Sequence, residues 1–474
     1  MARPPLGRRR WHRQRSGVRQ SPRQRRVRPD SRTQIRPQET RREKIVPASS
    51  AFFALPRAAL CVLVLLGPAP AAPAQFTPLK EPPAWGSLNR HQFTLTRTDF
   101  EARLPLYSPD GSIHQWLESG PLGVTVHATP EKNAPLWTLH WRRPTRAGGQ
   151  GPLPEPVPIS WKTLQAFTGA TLDRPLTGLT ICLDPGHIGG AWAEIEERSL
   201  VISRKPPIRE GDMVLIVGRH LEKLLQEAGA SVVWARDRPE PATPLRPSDL
   251  AWEAVQSMNN LDPRTLARLP AKNFLRTHLL RANMLFYRSA EIIARAERVR
   301  ALRPDFTLCL HYNAAPWGKF SRPRLYNANK LVVFVHGAYT GGELADEIQR
   351  FHLFRKLLEG SAPLELALAG AVADALRDGW GFPPENYDSW NVAARAGDNP
   401  YVWARNLLAN RLFDGPTIFV EGPYMNDRAM FARMQAGDYE GEREIGGKIV
   451  RSLHREFAEF IAHGVISHYR RQLE

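Results

Sequence analysis

Three apolar runs in this chain end on side chains able to hold a cation or move a proton. "TICLDPGHIGG" breaks at Asp184-Pro185-Gly186 and delivers His187, "FTLCLHYNAA" delivers His311, and "PTIFVEGPYMND" delivers Glu421. Short continuous apolar runs bounded by turn residues read as buried strands. In open α/β sheets the ligand crevice lies beyond the carboxyl ends of such strands. Two imidazoles and a carboxylate gathered at one sheet edge suit a catalytic zinc site, which takes three protein ligands and keeps a position for water. The glycines beside His187 let the backbone turn sharply there. Taken singly, each residue has a plainer reading: a strand-end histidine as a hydrogen-bonding partner, a strand-end glutamate as a solvated or paired charge. The combination points to chemistry.

The elements that would position these residues alternate along the chain. After the strand at 179–183 comes an amphipathic helix from about Asp212 to Ala228, with Val214, Val217, Leu221, Leu224 and Leu225 on one face and Gly229 closing it. "SVVWARD" (231–237) is the next strand. A helix over 289–302 precedes "FTLCL" (306–310), and "KLVVFV" (330–335) and "TIFV" (417–420) are further buried strands. Helices are expected over 365–380 and over 441–463, the latter from Ile445, Ile449, Leu453, Phe457 and Ile461 spaced four apart. Apolar strands alternating with helices predict an α/β fold: a mostly parallel twisted sheet with helices on both faces.

In order and flanking elements, these segments together with "EGDMVLIVGRHLEKLLQEAGASVVWARD" resemble the zinc-dependent N-acetylmuramoyl-L-alanine amidases of bacterial cell walls, the type-3 amidase family. The likeness spans about residues 178–465. It implies a zinc-hydrolase-like fold and one Zn2+ per chain, with His187, Glu210 and His311 as ligands and Glu421 as the catalytic carboxylate. Glu210 opens the helix after "PPIR", where the helix dipole favours a carboxylate; the plainer alternative is a cap. Glu194, Glu196 and Glu197 are rivals, nearer to His187 but in an extra stretch with no clear helix behind it. The chain departs from the family at Ile188, which interrupts the usual His-Gly-Gly. It departs again in the 22 residues between His187 and Glu210, and in the shorter run after Glu421. The resemblance further implies hydrolysis of the amide between N-acetylmuramic acid and L-alanine, and peptidoglycan or a muropeptide as substrate. A wall-associated regulator is a further candidate partner.

Asp184 and Asn313 are candidates for orienting a ligand or for ordinary turn chemistry. Arg405 and Asn406 are candidates for substrate contact or a surface role. His220, His336 and His352 read as structural.

The net charge of +18 invites a nucleic-acid reading, but its location argues against one. Residues 1–44 carry fifteen arginines and one lysine against three acids; with that block and Arg57 set aside, the remainder carries only +4. The basic start leads into "AALCVLVLL" and the small-residue site Ala72-Pro73-Ala74, the pattern of a signal peptide, with "TRREKIV" faintly like a twin-arginine signal. The apolar run is too short to span a bilayer. Export to the periplasm or cell envelope of a bacterium is expected, with no nucleic-acid partner and no stable membrane insertion after cleavage. Cys61 belongs to the apolar run, while Cys182 and Cys309 fall in strands and read as core thiols. The expected organisation is a leader and signal peptide over 1–74, a linker over 75–91, and a small β-rich domain over 92–145. A second linker over 146–177 and a catalytic domain over 178–474 follow, the latter with an inserted, partly helical segment at 238–286. Two other functions fit parts of the pattern: a non-catalytic wall-binding or activator protein with an amidase-like domain, and a zinc peptidase acting on another amide.

Overall fold

The computed structural model describes residues 82–142, 161–162, 169–202, 205–259, 270–316, 324–388 and 392–474. The leader, Cys61 and most of the 146–177 linker lie outside them. Among the described residues no helix is long and apolar enough to cross a membrane.

The sheet contains seven strands: β1 (Thr180–Pro185), β2 (Ser231–Trp234), β3 (Phe306–Tyr312), β4 (Val332–His336), β5 (Ala394–Arg395), β6 (Val402–Arg405) and β7 (Thr417–Gly422). Their spatial order is β5-β6-β4-β7-β3-β1-β2. β2, β1, β3 and β7 run parallel, as do β4 and β6; β4 lies antiparallel to β7, and β5 to β6. The fold is α/β, and the sheet is mostly parallel, as the apolar runs predict.

Side chains alternate between its two faces because strand geometry has a period of two. Ile181, Leu183, Leu308, Leu310, Ile418 and Val420 face helices α1 (Glu210–Glu227), α3 (Ala362–Trp380) and α4 (Leu453–Arg470). Cys182, Cys309, Phe334, Trp403 and Phe419 face the opposite layer, including Ala296 and Val299 of α2 (Glu291–Leu302). Both cysteines are buried free thiols. The parallel register sets Glu421 beside His311, and Pro185 beside Leu310, so His187, His311 and Glu421 emerge at one edge.

Three expectations are revised. The stretch at 441–463 is not one helix: strands Glu442–Ile445 and Lys448–Arg451 form a hairpin before α4 begins at Leu453. Gly446 and Gly447 make its two-residue turn with φ of +62° and +77°, and that turn breaks the four-residue periodicity. Within the expected β-rich domain over 92–145, the opening stretch "QFTLTRTDF" is likewise not a strand. Thr96 and Asp99 form a reciprocal cap that starts a helix over Arg97–Tyr107.

The N-terminal segment, expected as a linker and then a separate domain, shares a core with residues of the 178–474 part. Its three-stranded sheet (Leu117–Ser119, Gly123–His127, Pro135–His140) is present. Trp85, in a 3-10 turn over Trp85–His91, packs on Phe351 and Phe354, and its Nε1 donates to Glu347 at 3.0 Å. The described residues from 82 to 474 belong to one compact unit.

The 238–286 segment contains helices Ala251–Asn259 and Ala271–Leu285. Its Leu250 and Phe286 pack against Ile188, beside the His187 turn.

Candidate metal centre and catalytic carboxylate

Buried groups hold the turn carrying His187 from below. His187 itself adopts φ of +56°, a left-handed conformation costing a non-glycine residue about 1–3 kcal/mol. Arg295, fully buried on α2, donates to Asp184 Oδ1 (3.1 Å), the Pro185 carbonyl (2.9 Å) and the His187 carbonyl (3.1 Å), and its Nε donates to Glu291 (2.8 Å). Arg236 adds bonds to the Pro185 and Gly186 carbonyls at 2.9 and 3.3 Å. Asp184 thus anchors the turn through Arg295, away from the ligand atoms.

Glu210 opens α1, and three contacts aim it. Its Oε1 accepts the Tyr312 N–H at 3.0 Å and lies 3.2 Å from His311 Nδ1; its Oε2 lies 3.4 Å from His187 Nε2. Gly211 permits this approach, since a Cβ there would stand 2.4 Å from the Ile188 carbonyl. One donor atom each from His187, Glu210 and His311 fall within 4.8 Å of one another. Two imidazoles and a carboxylate at that spacing suit zinc.

The rival acids separate cleanly. Glu196 binds His187 Nδ1 at 2.7 Å and the Ile188 N–H at 2.6 Å, so it orients the ring and leaves Nε2 facing Glu210. Burial pushes the Glu196 carboxyl up, but the charge and hydrogen bond of His187 and the Ile188 N–H outweigh it and hold the group below the usual range. Glu194 instead approaches Arg209, at 3.8 Å, and Glu197 is exposed.

Electrostatics favour a cation. Burial raises the Glu210 carboxyl, opposed by His187 and Arg198, so its charged form depends on positive neighbours. Burial lowers His311 to about 3, keeping the imidazole neutral with a lone pair to donate. Its ring stacks on Phe419 at 3.9 Å.

Glu421 lies half-buried at the end of β7, beside His311 in register. Burial, then the charge of Glu210, pushes it up to about 8, with Arg405 and Arg198 opposing. Arg405 itself ends β6 level with His336, whereas Glu421 is level with Val332 at the far end of β4. Its guanidinium lies over Phe334 at 5.6 Å, and only its charge reaches Glu421. Asn406 is tied to Gln349 and Arg411. The Asn313 carbonyl accepts from Met425 at 2.8 Å and its N–H donates to the Gly422 carbonyl at 3.3 Å, bracing the loop after Glu421, while its side chain accepts the Ala314 N–H.

His220 pairs with Asp438, His336 with Tyr339, and His352 is part-buried outside the site, consistent with structural roles. Sequence reasoning missed Arg236, Arg295 and Arg198. The signal for Arg295 was a Glu291/Arg295 pair four apart on a helix whose other inward positions are apolar.

No protein-family model matches this chain, and no curated protein matches it. Several solved structures resemble it distantly. One is the N-acetylmuramoyl-L-alanine amidase AmiC2 of Nostoc punctiforme, 16% identical, covering 61% of this chain and 97% of that one, with a TM-score of 0.33. Another is Ami1 of Mycobacterium smegmatis, 15% identical, covering 62% and 98%, with a TM-score of 0.34. A third is the CwlD amidase of Clostridioides difficile, solved with the GerS lipoprotein, 13% identical, covering 63% and 100%, with a TM-score of 0.34. Any assignment of chemistry rests on the side chains described above.

Proposed function

We propose that this chain is an exported, zinc-dependent hydrolase of the bacterial cell envelope that cleaves the amide between N-acetylmuramic acid and L-alanine. The observation that carries this reading is the convergence of His187, Glu210 and His311 donor atoms within 4.8 Å, with Glu421 on the adjacent strand end.

His187, Glu210 and His311 would hold the ion. When bound, zinc supplies Lewis acidity toward a water and the substrate carbonyl. Glu421 takes the proton of the attacking water as the new C–O bond forms. It then gives that proton to the alanine nitrogen as the C–N bond breaks, leaving a carboxylate on the lactyl group and a free amine on the peptide. Burial, then the charge of Glu210, raises the proton affinity of Glu421, which suits a group that must accept and return a proton.

The test pairs metal content with product chemistry. The purified protein is expected to carry one zinc per chain and to release stem peptides with a free L-alanine amine from peptidoglycan. His311→Ala is expected to lose both. Glu421→Gln is expected to keep zinc while turnover falls by roughly 10²–10⁴-fold. Full turnover in Glu421→Gln would remove its role. Zinc without peptide release would favour an inhibited form or another amide substrate, and no zinc would favour a binding module.

A further inference from the structure

One cation stands among all four groups of the site. Arg198 Nε donates to His187 Nε2 at 3.2 Å and lies 3.6 Å from Glu210 Oε2. Its charge is also felt by His311 and Glu421. The backbone of Arg198 is pinned next to the ligand set, because its carbonyl accepts the Glu210 N–H at 3.1 Å, just before the paired strands Ser199–Leu200 and Ile208–Arg209. The side chain, by contrast, is 38% exposed, and beyond the site, among the described residues, it donates only to the neighbouring Glu197 carbonyl at 3.3 Å.

The two ring nitrogens of His187 are both engaged: Nδ1 with Glu196 and Nε2 with Arg198. A neutral imidazole has one lone pair, and with Nδ1–H held by Glu196 that lone pair is on Nε2. A guanidinium and a divalent cation cannot both use it.

We propose that Arg198 is a competing counter-cation. It neutralises buried Glu210 and occupies the His187 lone pair, and a divalent cation binds only as the guanidinium leaves. This inference rests on the metal-centre reading above and adds a residue outside the ligand set. Competition for the lone pair and repulsion between like charges act in the same direction, so removing the guanidinium strengthens cation binding.

The test is zinc affinity of the metal-stripped, full-length protein, measured by competition with a chromophoric chelator at low salt. Arg198→Ala is expected to bind zinc roughly 10–100-fold more tightly than the parent, the range set by losing a charge-assisted hydrogen bond. Arg198→Lys is expected between the two, because the ammonium keeps the charge but not the planar donor fork. A second readout separates competition from general support: Arg198→Ala lowers the melting temperature without zinc and not at saturating zinc. Equal or weaker zinc affinity in Arg198→Ala overturns the proposal and leaves the metal centre standing. Zinc binding by neither protein overturns both.

Discussion

Gly186→Ala tests whether the position of His311 is what the site depends on. A Cβ on Gly186 would stand 2.0 Å from His311 Cε1, 2.1 Å from Nε2 and 2.5 Å from Nδ1. Ordinary carbon contacts are about 3.5–4.0 Å, so the ring must retreat by roughly 1.5 Å. It has nowhere to go: Phe419 stacks on it at 3.9 Å, and Glu210 lies 3.2 Å from Nδ1. The backbone at Gly186 is not left-handed, so alanine adds a steric conflict and little else. Overpacking of this kind costs roughly 1–3 kcal/mol of stability. Zinc affinity is expected to fall at least ~100-fold, beyond the ~10–100-fold that follows the loss of a supporting partner. Chelator competition reads the affinity and thermal denaturation the stability. Gly342→Ala is the control, since a Cβ there meets nothing within 4 Å. A folded Gly186→Ala protein with unchanged zinc affinity would refute the reasoning, because it would mean that His311 can move without consequence.

Other perturbations reach the site from further out. Glu196→Gln keeps a hydrogen-bonding partner for His187 but removes its charge, and zinc affinity is expected to drop by ~10-fold in the same titration. Arg295→Met leaves Asp184 and Glu291 as unpaired buried charges, and chemical denaturation is expected to show a loss of about 3–5 kcal/mol; a loss below 1 kcal/mol would mean the turn is held otherwise. Asp438 is raised by burial, but hydrogen bonds from Arg455, Ser452 and His220 outweigh this and hold it below its ordinary value of 3.8. A carboxylate held low stabilises the fold above its unfolded-state pKa and loses that contribution as pH falls. The stability difference between the parent and Asp438→Asn is therefore expected to shrink as pH falls below about 4. A difference that persists or grows below about pH 4 would count against it.

The legible part of this protein was local. Apolar runs marked β1, β3 and β7, and the residues closing them marked the sheet edge, because continuous burial and abrupt turns are written in neighbouring residues. The amphipathic stripe of α1 showed which side meets the sheet. The same local reasoning failed at 441–463, where Ile445 and Ile449 kept a helical spacing that Gly446-Gly447 interrupts with positive φ. It failed again at 92–145, where periodicity could report burial but not the partner of Phe100 and Trp137, which is Phe354, more than two hundred residues away.

At the site, composition and turn pattern determined which strands end in His187, His311 and Glu421, and therefore that an imidazole–carboxylate cluster exists. Only the tertiary structure decided how the acids divide the work. Glu196 went to His187 Nδ1 because Ile188 N–H and that nitrogen face the same carboxylate, and Glu210 went between His187 and His311 because Gly211 brings α1 against the turn. It alone also placed Arg236, Arg295 and Arg198. Their partners lie on different elements, and a charge buried by a distant segment leaves no periodic trace in the chain around it.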